Sequence, residues 1–199
     1  MNRCPYPRSP SSQEPGERGS PVQDTMRWSE PFDRLSVGQR FRTGRRAVYD
    51  TDVIMFSALT GDWHPQHCDA DWAAASPFGE RIAHGMLILS LAAGLVPFDP
   101  ELVLALRRVG DVVFKRPVRL NESISVSGET TALTPVDDRA GLVGFGWAVR
   151  NQEDALVCRA TVAVLWRRAH GADEADAATF WHDPISAGLR PGEFIPVPL

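Results

Sequence analysis

The segment from Phe56 to Leu87, FSALTGDWHPQHCDADWAAASPFGERIAHGML, holds the side chains best suited to proton transfer. Its first cluster is Asp62, His64 and His67, set around Trp63 and Pro65. Pro65 fixes its own φ and biases His64 away from helical values, so a Gly-Asp-x-x-Pro segment cannot continue a helix. The spacing therefore predicts Asp62 and His67 on an irregular turn where polar side chains converge. One carboxylate and one imidazole there can share a water, and histidine is the side chain best matched to proton transfer near pH 7. The same residues also suit a plain turn that Asp62 caps, with His67 an ordinary loop residue. His64, His67 and Asp69 are close enough in sequence to meet a cation, but no further ligand of matching spacing is evident. The expectation is no metal.

The second cluster is Arg81-Ile82-Ala83-His84-Gly85-Met86, where a loop enters a very apolar helix. The first amides of a helix lack intrahelical partners. With the helix dipole they favour an oxyanion or a polarised carbonyl. Gly85 allows close approach to the backbone. The plainer possibility is that Gly85 relieves crowding and His84 caps the helix.

The elements that position these residues are legible in outline. Residues 51–60 read as a helix stopped by Gly61. Asp69 is placed to cap a short helix over 70–75. Residues 84–96 are apolar nearly all round, which predicts a core helix buried on most sides. After Pro100 the pattern turns to strands over 111–118, 122–127, 143–149 and 156–166, with an earlier strand at 40–49. In the 143–149 strand Val143, Phe145, Trp147 and Val149 share one face. Gly144, Gly146 and Ala148 leave the other small enough for close packing. The simplest arrangement is an antiparallel sheet wrapped on the apolar helix, an α+β architecture.

The chain has 199 residues, 43% of them hydrophobic and 23% charged, which suits one globular domain. A net charge of −4 gives no nucleic-acid footprint. Cys4, Cys68 and Cys158 are odd in number and widely spaced, so they suggest neither a disulfide framework nor a metal ribbon. No apolar stretch reaches the ~20 residues of a membrane helix, and residues 1–23 lack a signal core. The expected compartment is the cytoplasm. The expected organisation is a disordered extension over 1–27, a domain over 28–168 and an irregular extension over 169–199. Phe180, Trp181, Phe194 and Ile195 are available in the last segment to dock on the body.

Residues 56–87 resemble the hydratase motif of the MaoC-like dehydratases, the R-specific enoyl-CoA hydratases of the hot-dog fold. Phe56, Gly61, Asp62, Pro65, His67, Asp69, Ala74, Phe78, Ile82, Ala83, His84, Gly85, Met86 and Leu87 all fall where the motif puts them. A looser likeness runs over 35–166. The resemblance implies a single hot-dog domain with the 84–96 helix at its centre. It implies Asp62 and His67 as the catalytic pair and the Gly85 amide as the oxyanion hole for a thioester carbonyl. Trp63, His64, His84, Met86 and Ser90 are the implied substrate-binding residues.

The implied reaction is reversible hydration of a 2-enoyl thioester or dehydration of a 3-hydroxyacyl thioester. Coenzyme A or the phosphopantetheine arm of an acyl carrier protein is then part of the substrate. No separate cofactor is expected, and a homodimer is. Arg107, Arg108, Lys115 and Arg116 are candidates for phosphate contacts, or simply solvated charges. Two departures stand out. His64 replaces the usual Asn before Pro65, and Ala93 replaces a frequent serine, with Ser90 one turn earlier. His64 and the bulky Trp63 motivate a second reading, a relative recruited as a specialised dehydratase or cyclase. A hot-dog thioesterase or a non-catalytic acyl-binding subunit would also use this fold. The absence of Asp and Glu between Glu80 and Asp99 counts against the thioesterase.

Overall fold

The computed structural model describes residues 25–169. The proposed tail anchors Phe180, Trp181, Phe194 and Ile195 lie outside the described residues, as does most of the N-terminal extension. Thr25 and Met26, which the sequence places in that extension, join the folded body. The Met26 N–H donates to the Arg40 carbonyl at 2.9 Å, and the side chain is buried.

After a 3-10 turn at Phe32–Arg34 the chain forms β1 (Arg40–Arg42) and β2 (Arg46–Ala47). Three helices follow: α1 (Asp50–Thr60), α2 (Pro65–Cys68) and α3 (Ala70–Ala74). The apolar helix is α4 (Gly85–Leu95), and then come β3 (Val103–Phe114), β4 (Ser123–Pro135), β5 (Ala140–Arg150) and β6 (Leu156–Arg167). The strands make one antiparallel sheet in the order β1-β4-β5-β6-β3, with β2 also on β4. The expected 40–49 strand is broken in two, and the 111–118 strand starts earlier and ends before Pro117.

The alternation predicted for β5 is observed. Val143, Phe145, Trp147 and Val149 are buried, and join Leu87, Ile88, Leu89 and Ala92 of α4 in one core. Trp28 seals one end of that core, stacked on Phe145 at 6.1 Å and edge-on to Phe41 at 5.0 Å. The opposite, small-residue face is partly open. Gly146 and Ala148 floor a groove of about 950 Å³ with Ser127, Arg159 and Thr161. Close packing occurs at Gly144, where a Cβ would lie 3.2 Å from the Ala132 Cβ, and more tightly one strand away. A Cβ at Gly128 would sit 2.5 Å from the Phe41 ring and 3.0 Å from the Gly146 carbonyl. Phe41 is itself buried and packed edge-on against Trp28 and Phe145, so its ring can move only by disturbing that cluster. Gly128→Ala is expected to cost about 1–3 kcal/mol by overpacking. Chemical denaturation checks this, and parental stability in the variant would contradict it.

Among the described residues α4 is buried on most sides, as its composition predicts, but one stripe is left open. Leu87, Ile88, Leu89 and Ala92 face the core, while Met86, Ser90 and Gly94 form an exposed stripe at i, i+4 and i+8. Among the described residues no helix is long and apolar enough to cross a membrane.

Candidate active site

Gly61 ends α1 in the left-handed region, at φ 79°, and turns the chain outward. The Thr60 hydroxyl accepts from the Asp62 N–H at 3.3 Å, and Asp62 Oδ1 accepts from the His64 N–H at 3.3 Å. Asp62 is thereby held at the mouth of the turn with its side chain half exposed. His67 is not on an irregular turn, as the sequence suggested, but within α2. Pro65 occupies the first position of that helix, where its missing N–H costs nothing. The His64 ring caps the same helix, with Nδ1 accepting from the Gln66 N–H at 3.2 Å. Asp69 caps α3 through the Trp72 N–H at 2.9 Å, as predicted.

The loop before α4 is the common frame. Its Ile82 N–H donates to the Gln66 carbonyl at 3.3 Å, and its Ala83 N–H to the Val118 carbonyl at 2.8 Å. The Ile82 carbonyl accepts from His67 Nδ1 at 2.7 Å. A carbonyl only accepts, so the proton of the neutral ring sits on Nδ1 and Nε2 is left bare. His67 is buried. Burial holds its pKa below the ordinary 6.5, opposed by the Ile82 bond and the Asp62 charge and aided by His84 and His64.

His84 lies directly against His67. The ring centroids are 3.7 Å apart and the planes 27° from parallel. Donor atoms of Asp62, His67 and His84 all fall within 4.8 Å of one another, a span that one water bridges. Among the described residues this is the group gathered closely enough to hold a cation. The stacked imidazoles lie side by side instead of converging in-plane, which suits tetrahedral nitrogen ligation poorly. The set of His64, His67 and Asp69 does not assemble, because His64 and Asp69 are committed to helix caps.

The remaining predicted residues fall into two groups. Trp63 and Met86 are exposed beside the site, and His64 meets Trp72 edge-on at 5.3 Å. Ser90 is exposed and donates to the Met86 carbonyl at 2.8 Å. His84, predicted to bind substrate, is buried beneath His67 with Nε2 engaged by the protein, so it lines no open surface. Gly85 opens α4, which no side chain caps. A Cβ there would meet the tip of the Phe114 ring at 2.9 Å. Sequence reasoning missed Phe114, Ser57 and the Ile82 carbonyl. Ser57 alone had a signal, a hydroxyl four residues from Val53 on the core side of α1.

A MaoC like domain family model matches residues 34–144, more than half of the chain. The chain belongs to the MaoC-like family. This MaoC-like chain is 34% identical over 114 residues to a 3-hydroxybutyryl-CoA dehydratase of Methylorubrum extorquens, spanning 56% of this chain and 70% of that one. It is 35% identical over 96 residues to the Protein MaoC of Klebsiella aerogenes, but spans only 29% of that protein's length and 48% of its own. Among solved structures it resembles the unliganded R-hydratase PhaJ1 of Pseudomonas aeruginosa. The TM-score is 0.57 at 30% identity, over 69% of this chain and 86% of that one. The sheet and its central helix are the hot-dog fold.

Proposed function

We propose that this MaoC-like chain adds water reversibly across carbons 2 and 3 of a 2-enoyl thioester, and removes it from the 3-hydroxyacyl product. The observation that carries the reading is that a ring nitrogen of the buried, backbone-anchored His67 lies within 4.8 Å of an Asp62 carboxylate oxygen, while Nδ1 is held by the Ile82 carbonyl. In hydration Asp62 accepts one hydrogen bond from the water and orients it. His67 Nε2 takes the other proton as oxygen attacks carbon 3. The same nitrogen then returns that proton to carbon 2, so atoms and charge balance. Negative charge that builds on the thioester oxygen meets the Gly85 amide and the N-terminal end of α4.

This chemistry calls for no metal or redox group. Coenzyme A or a carrier protein's pantetheine arm arrives with the substrate. A second copy of the chain fits the same reading. Among the described residues β3 ends the sheet with Leu106, Val109 and Phe114 exposed and no further strand beyond it, and Phe114 lies over Gly85 at the start of α4. The thioesterase reading gains no support, since α4 carries no carboxylate.

The test is incubation with crotonyl-CoA. Loss of the enoyl absorbance at kcat/KM of at least ~10⁴ M⁻¹s⁻¹ is expected, and an unchanged spectrum at high enzyme would contradict the reading. The pH profile follows from the lowered His67 pKa. The base works only when Nε2 is unprotonated, so the acid limb of kcat/KM is expected to be centred below 6.5. An acid limb centred at or above 6.5 would contradict this assignment of the base.

A further inference from the structure

Ser57 has no part in the chemistry above, yet it is completely buried on the core side of α1. Its Oγ lies 3.3 Å from His84 Nε2 and 3.3 Å from Cys68 Sγ. His84 Nε2 is also 3.1 Å from the Asp62 carbonyl oxygen. That carbonyl only accepts, so Nε2 carries a proton and shares it between Asp62 O and Ser57 Oγ. The Ser57 hydroxyl hydrogen is then free to point at Cys68 Sγ. His84 Nδ1 is buried without a partner, which fits a bare nitrogen better than an orphaned N–H. Phe56 packs against the ring, with centroids 5.1 Å apart. One buried imidazole thus touches both members of the pair, the backbone of Asp62 by hydrogen bond and the ring of His67 by stacking.

We infer that Ser57 and His84 form a buried brace that holds Asp62 and His67 in register, with His84 protonated at Nε2 and acting as a positioning residue, not as a proton carrier. The inference rests on the reading of Asp62 and His67 as the catalytic pair. The stack prevents the His67 ring from swinging off the Ile82 bond. The Nε2–H fixes the turn that carries the carboxylate. Misplacement of a reacting group by ~1 Å can cost ~100-fold in rate.

The first test needs no substrate. Nitrogen-resolved NMR of the histidine side chains in the full chain is expected to show His84 protonated on Nε2 with Nδ1 bare, and Ser57→Ala is expected to shift that Nε2 resonance. A Nδ1-protonated or doubly protonated His84 at neutral pH would overturn the brace. The second test is kinetic, with crotonyl-CoA as the probe. His84→Phe keeps a flat ring and loses the donor, and is expected to lower kcat ~10–100-fold with KM within ~3-fold of the parent. His84→Gln restores a donor and is expected to recover most of that loss. Ser57→Ala, the mildest change, is expected to lower kcat ~3–10-fold. Parental kcat in His84→Phe, or His84→Gln as impaired as His84→Phe, would overturn the inference. If His84→Phe fails to fold, parental kcat in Ser57→Ala does so instead. Failure of the parent reading looks different: His67→Gln would then keep full activity whatever His84 does.

Discussion

Replacing His67 with glutamine is expected to lower crotonyl-CoA turnover by at least ~100-fold while the chain stays folded, and Asp62→Asn is expected to do the same; a positioned acid–base group typically contributes ~10²–10⁴-fold. Both changes are nearly isosteric, so they remove proton transfer more than packing. Asp62 is half exposed, and its structural bonds are local to one turn. Asn keeps an oxygen for the His64 N–H and loses only the charge. His67 is buried and bonded to the Ile82 carbonyl. Gln offers a donor to that carbonyl, so the loss of stability should not exceed ~0.5–1.5 kcal/mol, the net worth of one such bond. On the proposed reading the pair acts on one water, so the double variant is expected to be little worse than either single one. Turnover, circular dichroism and thermal melting together check this. A well-folded His67→Gln chain with parental turnover would contradict the assignment.

The second large effect concerns the Gly85 amide. Proline at the first position of α4 removes that N–H without breaking the helix, because the N–H has no intrahelical partner. His84 already has φ −60° and ψ 136°, which is where the residue before a proline prefers to be. The obstacle is Phe114, whose ring tip lies 2.9 Å from any Cβ built on Gly85. Phe114 is half exposed in the single chain, and Phe114→Leu alone is the background against which the Gly85 variants are read. In a Phe114→Leu background, Gly85→Pro is expected to lower kcat by ~10²–10³-fold, the loss typical of one oxyanion donor. Gly85→Ala in the same background keeps the amide and isolates the steric part. It is expected to stay within ~10-fold of the background. Equal losses in the Pro and Ala chains would mean that space, and not the amide, is what Gly85 provides.

The sequence is most informative where chemistry and local geometry coincide. Gly61 as a helix stop, Asp69 as a cap and the alternation from Val143 to Val149 all depend on near neighbours, and all are present in the structure. So is the antiparallel sheet on an apolar helix. The features that differ depend on context beyond the local pattern. Pro65 reads as a helix breaker, but it also starts α2, because its constraint is costless at a first helical position. The apolar character of α4 predicts burial on most sides, and does not announce which stripe stays open. Covering Met86, Ser90 and Gly94 would take something beyond the described residues. The motif points His84 at substrate. Its burial follows from stacking on His67 and bonding to Asp62, a contact 22 residues back that no local pattern announces. The Ile82 carbonyl that sets the His67 tautomer is main chain and has no residue-type signature at all.

Hydration by the Asp62–His67 pair is read most plainly from the product that crotonyl-CoA gives in heavy water. The expected product is 3-hydroxybutyryl-CoA with one deuterium on carbon 2, an intact thioester and no free thiol, formed by the parent chain and not by His67→Gln. Release of free coenzyme A, or recovery of unlabelled crotonyl-CoA, would contradict hydration at this site.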